Sequence, residues 1–265
     1  MIHGLASRAK TITKMDAAGS DQTPSGHCTP GCGASKPDKE QGPNGMGITI
    51  TVLGGTGGAG QHFVRLALER GHDVRVLART PAKVERQQGS PLPVNLTVVK
   101  GDSTSEADVS ALCTGCDLVV SAVGAPPRAP QQIMRLTAAN ILASKPPRVI
   151  AVSSLGLCGT SPTVRFILTL VAGARNIEDA ESADLLLRSA TDKCKVVVVR
   201  PTALSEQPGT GKYLVTRESG MAMAALSKED LALFLADMIT DTSLDSSDGV
   251  QLYAAPSEHG GCVVS

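Results

Sequence analysis

Residues 48–60 read ITITVLGGTGGAG, and they constrain the fold of this chain more than any other stretch. Ile48, Ile50, Val52 and Leu53 form the short β-branched run of a buried strand. A glycine-rich turn follows, and after it Phe63, Val64, Leu66 and Leu68 recur at helical spacing. In a strand–turn–helix unit of this kind each glycine of a G-x-x-G-x-x-G spacing has a task. Gly54 allows the sharp turn off the strand, Gly57 lets backbone N–H groups approach an anion closely, and Gly60 lets the helix pack tightly on the strand. The free N–H groups and positive dipole of the helix N-terminus then suit a pyrophosphate. The bland alternative is a glycine turn without a ligand, and the flanking strand and helix argue against it.

The second strand, DVRVLAR over residues 73–79, bears on which dinucleotide fits. A site for NAD carries Asp or Glu about 20 residues past the glycines, where it bonds the ribose 2′-hydroxyl. Here Arg79 stands in that place, Lys83 follows one helical turn later, and no acid appears until Glu85. Guanidinium and ammonium groups match a 2′-phosphate, so the expected cofactor is NADP, as NADPH. Two solvated surface cations are the alternative.

After the turn, strand and helix patterns alternate, which implies a parallel sheet. Strands are expected over 96–99, 118–123, 148–153 and 195–199, with short strands over 213–216 and 249–253. Helices are expected over 61–70, 106–112, 131–142, 178–189 and 228–239. The fold class is α/β: one doubly wound parallel-sheet Rossmann domain over residues 47–256. With 265 residues and 42% hydrophobic content, the chain can build one such domain plus an appendage.

The ends are different in kind. From Asp16 to Gly45 there is no Val, Leu, Ile, Phe, Tyr or Trp. Such a segment cannot bury enough apolar surface to offset its ordering entropy, so residues 1–46 are expected to be a disordered arm. Residues 1–15 hold Arg8, Lys10 and Lys14 and no acid, either a transit-like segment or a plain basic start. Residues 257–265 are expected to be a flexible tail. It closes on Cys262-Val263-Val264-Ser265, a C-a-a-X match that makes Cys262 a farnesylation candidate, or a chance match. A single lipid would give only weak peripheral membrane association.

No run approaches the length of a membrane span. Zero net charge, two Tyr, three Phe and no Trp argue against a nucleic-acid partner. Without a secretory signal the seven Cys are expected to be reduced in a cytoplasmic protein, with an organelle or a membrane surface as alternatives.

In doubly wound sheets ligands lie at the carboxyl ends of the strands. The residues there are Gly101-Asp102-Ser103, Val123-Gly124-Ala125, Ser153-Ser154 and Arg200-Pro201-Thr202. Asp102 can bond adenine or nearby backbone. Val123 and Gly124 offer a flat approach on the ribose side. Ser153 and Ser154 present hydroxyls beside the nicotinamide position, and Pro201 can shape that pocket.

The pattern GGTGGAG, VLAR, GD, AVG, VSS and VRP resembles the atypical short-chain dehydrogenase/reductases with an NAD(P)H-binding, NmrA-like Rossmann domain. EQPGTGKYLVT over 206–216 and LSKEDL over 226–231 look most like the biliverdin-IXβ reductase/flavin reductase group. The resemblance implies an NADPH-dependent reductase passing hydride to a flavin, quinone or tetrapyrrole. It implies that Gly54, Thr56, Gly57, Gly58, Ala59 and Gly60 form the pyrophosphate loop. Arg79 and Lys83 would hold the 2′-phosphate, Asp102 and Ser103 the adenine side, Val123 and Gly124 the ribose, and Ser153, Ser154 and Pro201 the nicotinamide end. The small-molecule acceptor is the expected partner.

The chain departs from that group in two places. No imidazole lies between Arg175 and Arg188, and Thr202-Ala203-Leu204 follows Pro201. The Tyr-x-x-x-Lys acid of the main short-chain family is also missing, since Tyr213 is followed four residues on by Arg217 and Tyr253 by Ser257. Ser154 or solvent is left to deliver a proton. A non-catalytic, NADP-responsive regulator and a nicotinamide-using isomerase or dehydratase are the alternative readings.

Three weaker constellations remain. Cys113-Thr-Gly-Cys116 has redox spacing but falls at a predicted helix C-terminus and is read as a turn. His27, Cys28 and Cys32 lack a fourth metal ligand. Glu178, Asp179, Glu181 and Asp184 are read as a solvated helix face.

Overall fold

The computed structural model describes residues 47–124, 132–154, 169–170, 173–190, 194–216, 224–245 and 249–254. The expected arm, the C-terminal tail with Cys262, and the His27, Cys28 and Cys32 group lie outside them.

Strands and helices alternate from the first described residues. β1 (Thr49–Leu53) leads into α1 (Gly58–Glu69), β2 (Asp73–Ala78) into α2 (Pro81–Gln88), and β3 (Leu96–Lys100) into α3 (Glu106–Cys113). β4 (Leu118–Ser121), α4 (Ile133–Ala143), β5 (Arg148–Val152), α5 (Ala174–Arg188) and β6 (Lys195–Pro201) continue the series. β7 (Leu204–Ser205), β8 (Tyr213–Thr216), β9 (Leu226–Ser227), α6 (Lys228–Asp237) and β10 (Val250–Ala254) complete it.

Among the described residues one eight-stranded sheet has the order β3-β2-β1-β4-β5-β6-β10-β8. β1 pairs in parallel with both β2 and β4, so the strand order reverses at β1 and opens a crevice there. β8 is the antiparallel edge, pairing with β10 from Gln251 opposite Thr216 to Ala254 opposite Tyr213. β7 and β9 form a separate two-stranded ribbon, with Leu204 opposite Leu226. This is a Rossmann-type α/β fold, as expected.

The period-2 alternation of the strands builds two cores. Ile50, Val52, Leu118, Val120, Ile150, Val197 and Val199 face α1, α2 and α6 through Phe63, Val64, Val84, Leu231 and Leu235. Leu53, Val119, Val149, Val196 and Val198 face the other way, onto Val109, Ile141, Ala183 and Leu187 of α3, α4 and α5. These strands read as near-continuous hydrophobic runs because helices cover both faces.

The structure adds α2, β7 and β9 to the expected elements and shifts several boundaries. Helix α5 begins at Ala174 rather than near 178, and β4 stops at Ser121 rather than running to 123. The reading of the α5 acids needs correction, because Asp179 and Asp184 are buried, at 4% and 1% exposure. Asp179 accepts the N–H groups of Met134 and Arg135 at 2.9 Å each and so caps α4. Asp184 accepts Arg188 Nε at 2.8 Å and Arg200 Nη2 at 2.7 Å. Helical spacing turned these two carboxylates inward, where donors compensate their desolvation.

Candidate functional site

Two clefts open at the carboxyl ends of the strands and share Gly57, Arg79 and residues 122–124. The smaller, of about 300 Å³, runs past Gly54, Thr56, Arg79, Lys83, Asp102, Ser103 and Gly124. The larger, of about 690 Å³, is walled by Gly58, Ala59, Val152, Ser153, Ser154, Ile177, Leu231 and their neighbours. Gly54, Thr56, Gly57, Arg79, Lys83, Asp102, Ser103, Val123 and Gly124 therefore meet in one groove that continues to Ser153 and Ser154. Gly60 and Pro201 line neither cleft. Gly60 is buried beneath the turn, and Pro201 is buried in β6, paired with Leu252.

The glycine turn is built by close backbone packing. Gly54 has φ +81°, and a Cβ on it would stand 2.6 Å from the carbonyl oxygen of Ala122. A Cβ on Gly60 would stand 2.2 Å from the carbonyl oxygen of Gly54, so the helix approaches the turn as only glycine permits. Gly57 N–H donates to Gly54 O at 2.9 Å, and Gly57 is the N-cap of α1 without a side-chain cap. The first turn of α1 also holds no acid. An anion is the partner such an uncapped helix start lacks.

Arg79 and Lys83 are exposed at the head of α2, whose Gln87 donates from Nε2 to Thr56 O at 3.3 Å and so ties the helix to the turn. Asp102 accepts the Thr104 N–H at 2.9 Å and its hydroxyl at 2.8 Å. These two bonds, aided by Arg79, hold its carboxyl below the ordinary value. Ser103 accepts the Thr137 hydroxyl at 2.9 Å. At the other end, Ser153 N–H donates to Val199 O at 2.7 Å. Its Oγ is buried without a hydrogen-bond partner among the described residues. An orphaned hydroxyl at one end, an uncapped helix start in the middle and two exposed cations at the other end fit an elongated, phosphate-bearing ligand such as a nicotinamide dinucleotide.

Several lining residues went unforeseen. Asn176 and Ile177 come from α5, Leu204 from β7, and Lys228 and Leu231 from α6. Ser227 Oγ accepts the Asp230 N–H at 2.9 Å and so caps the start of α6. Nothing local says that this helix packs beside the glycine turn. Neither Tyr213 nor Tyr253 lines a cleft, and Tyr213 donates its hydroxyl to Asp237 at 2.6 Å. Cys113 closes α3 and Cys116 N–H donates to Cys113 O at 3.1 Å, as a turn there requires. Both thiols are buried away from the clefts. Among the described residues no helix is long and apolar enough to cross a membrane.

A sheet reversing at β1, with a glycine turn leading to an uncapped helix, defines a dinucleotide-binding Rossmann domain. Residues 54–242 match the family model described as NAD(P)H-binding, and the chain belongs to that family. A curated 3-beta-hydroxysteroid dehydrogenase from Mycolicibacterium neoaurum is 40% identical over 72 residues. That match covers 26% of this chain and 18% of the relative. An anaerobilin reductase from Escherichia coli O157:H7 superposes with TM-score 0.62 at 18% identity, over 80% of this chain and all (100%) of that one. A short-chain dehydrogenase/reductase from Veillonella parvula, solved with NADP, gives TM-score 0.63 at 19% identity over 81% and 98%. Such similarity shows a shared Rossmann-type fold, and a nicotinamide cofactor is the ligand of the matched family.

Proposed function

We propose that this chain is an NADPH-dependent reductase that passes a hydride to a small planar acceptor of the flavin, quinone or tetrapyrrole type. The observation that carries the reading is the continuous groove from Arg79 and Lys83, past the uncapped start of α1, to the orphaned Oγ of Ser153. Gly58 and Ala59 hold the diphosphate with backbone N–H groups, and Gly57 lets it approach them. Arg79 and Lys83 hold the 2′-phosphate, Asp102 and Ser103 flank the adenine, and Val123 and Gly124 flank the ribose. When bound, the nicotinamide supplies a hydride. Ser153 fixes the carboxamide end, and Ser154 orients the acceptor or gives it a proton. Val152, Ile177, Ala180 and Leu231 exclude water from the face where the acceptor lies. The names of the relatives support a reductase.

A second reading is favoured by one observation. The larger cleft, as its described residues line it, offers hydroxyls, one amide and two cations but no tyrosine, histidine or carboxylate. That lining would also suit a protein that senses NADP without turnover.

Binding and turnover together test both. Charge-assisted bonds to the 2′-phosphate predict NADPH at least roughly tenfold tighter than NADH by calorimetry. Arg79→Ala should remove most of that preference and leave the melting temperature in place, because Arg79 is exposed. Equal affinities for the two cofactors would sink the NADPH assignment. Tight NADPH binding without oxidation by FMN, a quinone or biliverdin would favour the sensor.

A further inference from the structure

Lys228 is the first residue of α6, yet its side chain reaches across to the glycine turn of β1 and α1. A Cβ on Gly58 would stand 2.4 Å from Lys228 Cδ and 2.7 Å from Nζ. The ammonium therefore lies over the first turn of α1, at the wall of the larger cleft. Among the described residues lining that cleft, the charged groups are Arg79 and Lys228, both cations, and the remaining walls are mostly apolar. A cleft so lined favours a flat apolar ligand that carries negative charge.

The neighbouring carboxylates show why this cation is available. Glu229 accepts the Gly209 N–H at 2.8 Å and lies 3.8 Å from His62 Nδ1. Asp230 accepts the N–H groups of Thr210 and Gly211 at 3.0 and 2.8 Å. Both are committed to the 209–211 segment. The ammonium itself is paired with Glu206, whose side chain is 81% exposed against 26% for Lys228. An exposed pair of this kind contributes little and exchanges readily for a better-placed anion.

We propose that Lys228 recognises an anionic substituent, a carboxylate or a phosphate, on the acceptor, and that Glu206 holds the ammonium in place until that group displaces it. The proposal rests on the reductase reading above. It narrows the acceptor to an acidic, flat molecule and makes the Glu206–Lys228 pair a specificity element supplied by α6.

FMN and riboflavin are the probes, because they share one ring system and differ by a phosphate. Their binding to the full chain with NADP⁺ present is read from quenching of flavin fluorescence. FMN should bind about tenfold tighter than riboflavin, the size of a charge-assisted bond. Lys228→Met keeps the stem over Gly58 and removes the charge, so the FMN-to-riboflavin ratio should fall to near one. Glu206→Gln, on an exposed residue, should raise FMN affinity by roughly two- to fivefold, the range for an exposed ion pair. Equal binding of the two flavins by the wild type, or no response to Glu206→Gln, overturns the proposal. So does a tenfold loss of NADP⁺ affinity in Lys228→Met, which would assign the ammonium to the cofactor diphosphate. Turnover of both flavins without preference keeps the reductase and rejects the anion reader. Binding of neither flavin, with NADP⁺ bound, rejects the anion reader and leaves the reductase to the turnover test with a quinone and biliverdin.

Discussion

Two neighbouring serines divide the end of the groove proposed for the nicotinamide. The Ser153 N–H is taken up by Val199 O in the sheet, which fixes its backbone, while its buried Oγ is left for a ligand. An unsatisfied hydroxyl in a native fold costs about 1–3 kcal/mol, so its retention argues for a partner that the protein itself does not supply. Ser154 follows at the cleft wall, where a proton donor to the acceptor would stand. Ser154→Ala separates two chemistries. If Ser154 delivers the proton, turnover should fall by roughly 10²-fold with NADPH affinity little changed. If solvent protonates the acceptor, the loss should stay under about tenfold on the same scale. Steady-state rates and a calorimetric titration on the same variant decide between them.

At the scale of elements, the turn between β1 and α1 joins structure to function, and its glycines are not equivalent. Gly60 packs against the Gly54 carbonyl at a distance no Cβ tolerates, so Gly60→Ala forces the start of α1 off the sheet. Overpacking of this kind costs about 1–3 kcal/mol and should lower the melting temperature by several degrees. Gly57 is exposed and extended, at φ −77° and ψ 169°, and a Cβ there would lie 3.2 Å from Gly54 O. Gly57→Val should therefore fold nearly as well but place its methyls between the N–H groups and the diphosphate, crippling NADPH affinity. Thermal melts and NADPH titrations of the two variants should separate stability from binding. If Gly57→Val keeps its affinity, the turn is structural only.

The same element shows what could be read in advance. Strand, turn and helix form a local unit, and its hydrophobic period and glycine spacing were legible, as were Arg79 and Lys83 one strand later. The long-range walls were not legible. Lys228 and Ile177 reach the cleft because α6 packs beside α1 and α5 beside α4. That neighbourhood depends on strand order rather than on local pattern. Asp179 and Asp184 misled for a related reason: an acid looks solvated until the partner helix and Arg200 are known.

At the scale of the molecule, both hydrophobic cores among the described residues are assembled from strands and helices that follow Gly47, beginning with Ile48. Arg148 locks the far end of the sheet. It donates to Asp245 at 2.7 Å and to the carbonyl oxygens of Met238 and Asp241 at 2.6 and 2.7 Å, tying β5 to the segment after α6. We therefore propose that the stability of the chain resides in the Rossmann unit. Asp16 to Gly45 holds no large aliphatic or aromatic residue that could add to either core. Removing residues 1–45 should shift the melting temperature by less than about 2 °C, the change that goes with well under 1 kcal/mol in a domain this size. NADPH affinity should stay within twofold, since every residue assigned to the cofactor lies after Gly47. A drop of many degrees would mean that the amino-terminal segment packs on the domain and that the folded unit begins earlier than its cores indicate.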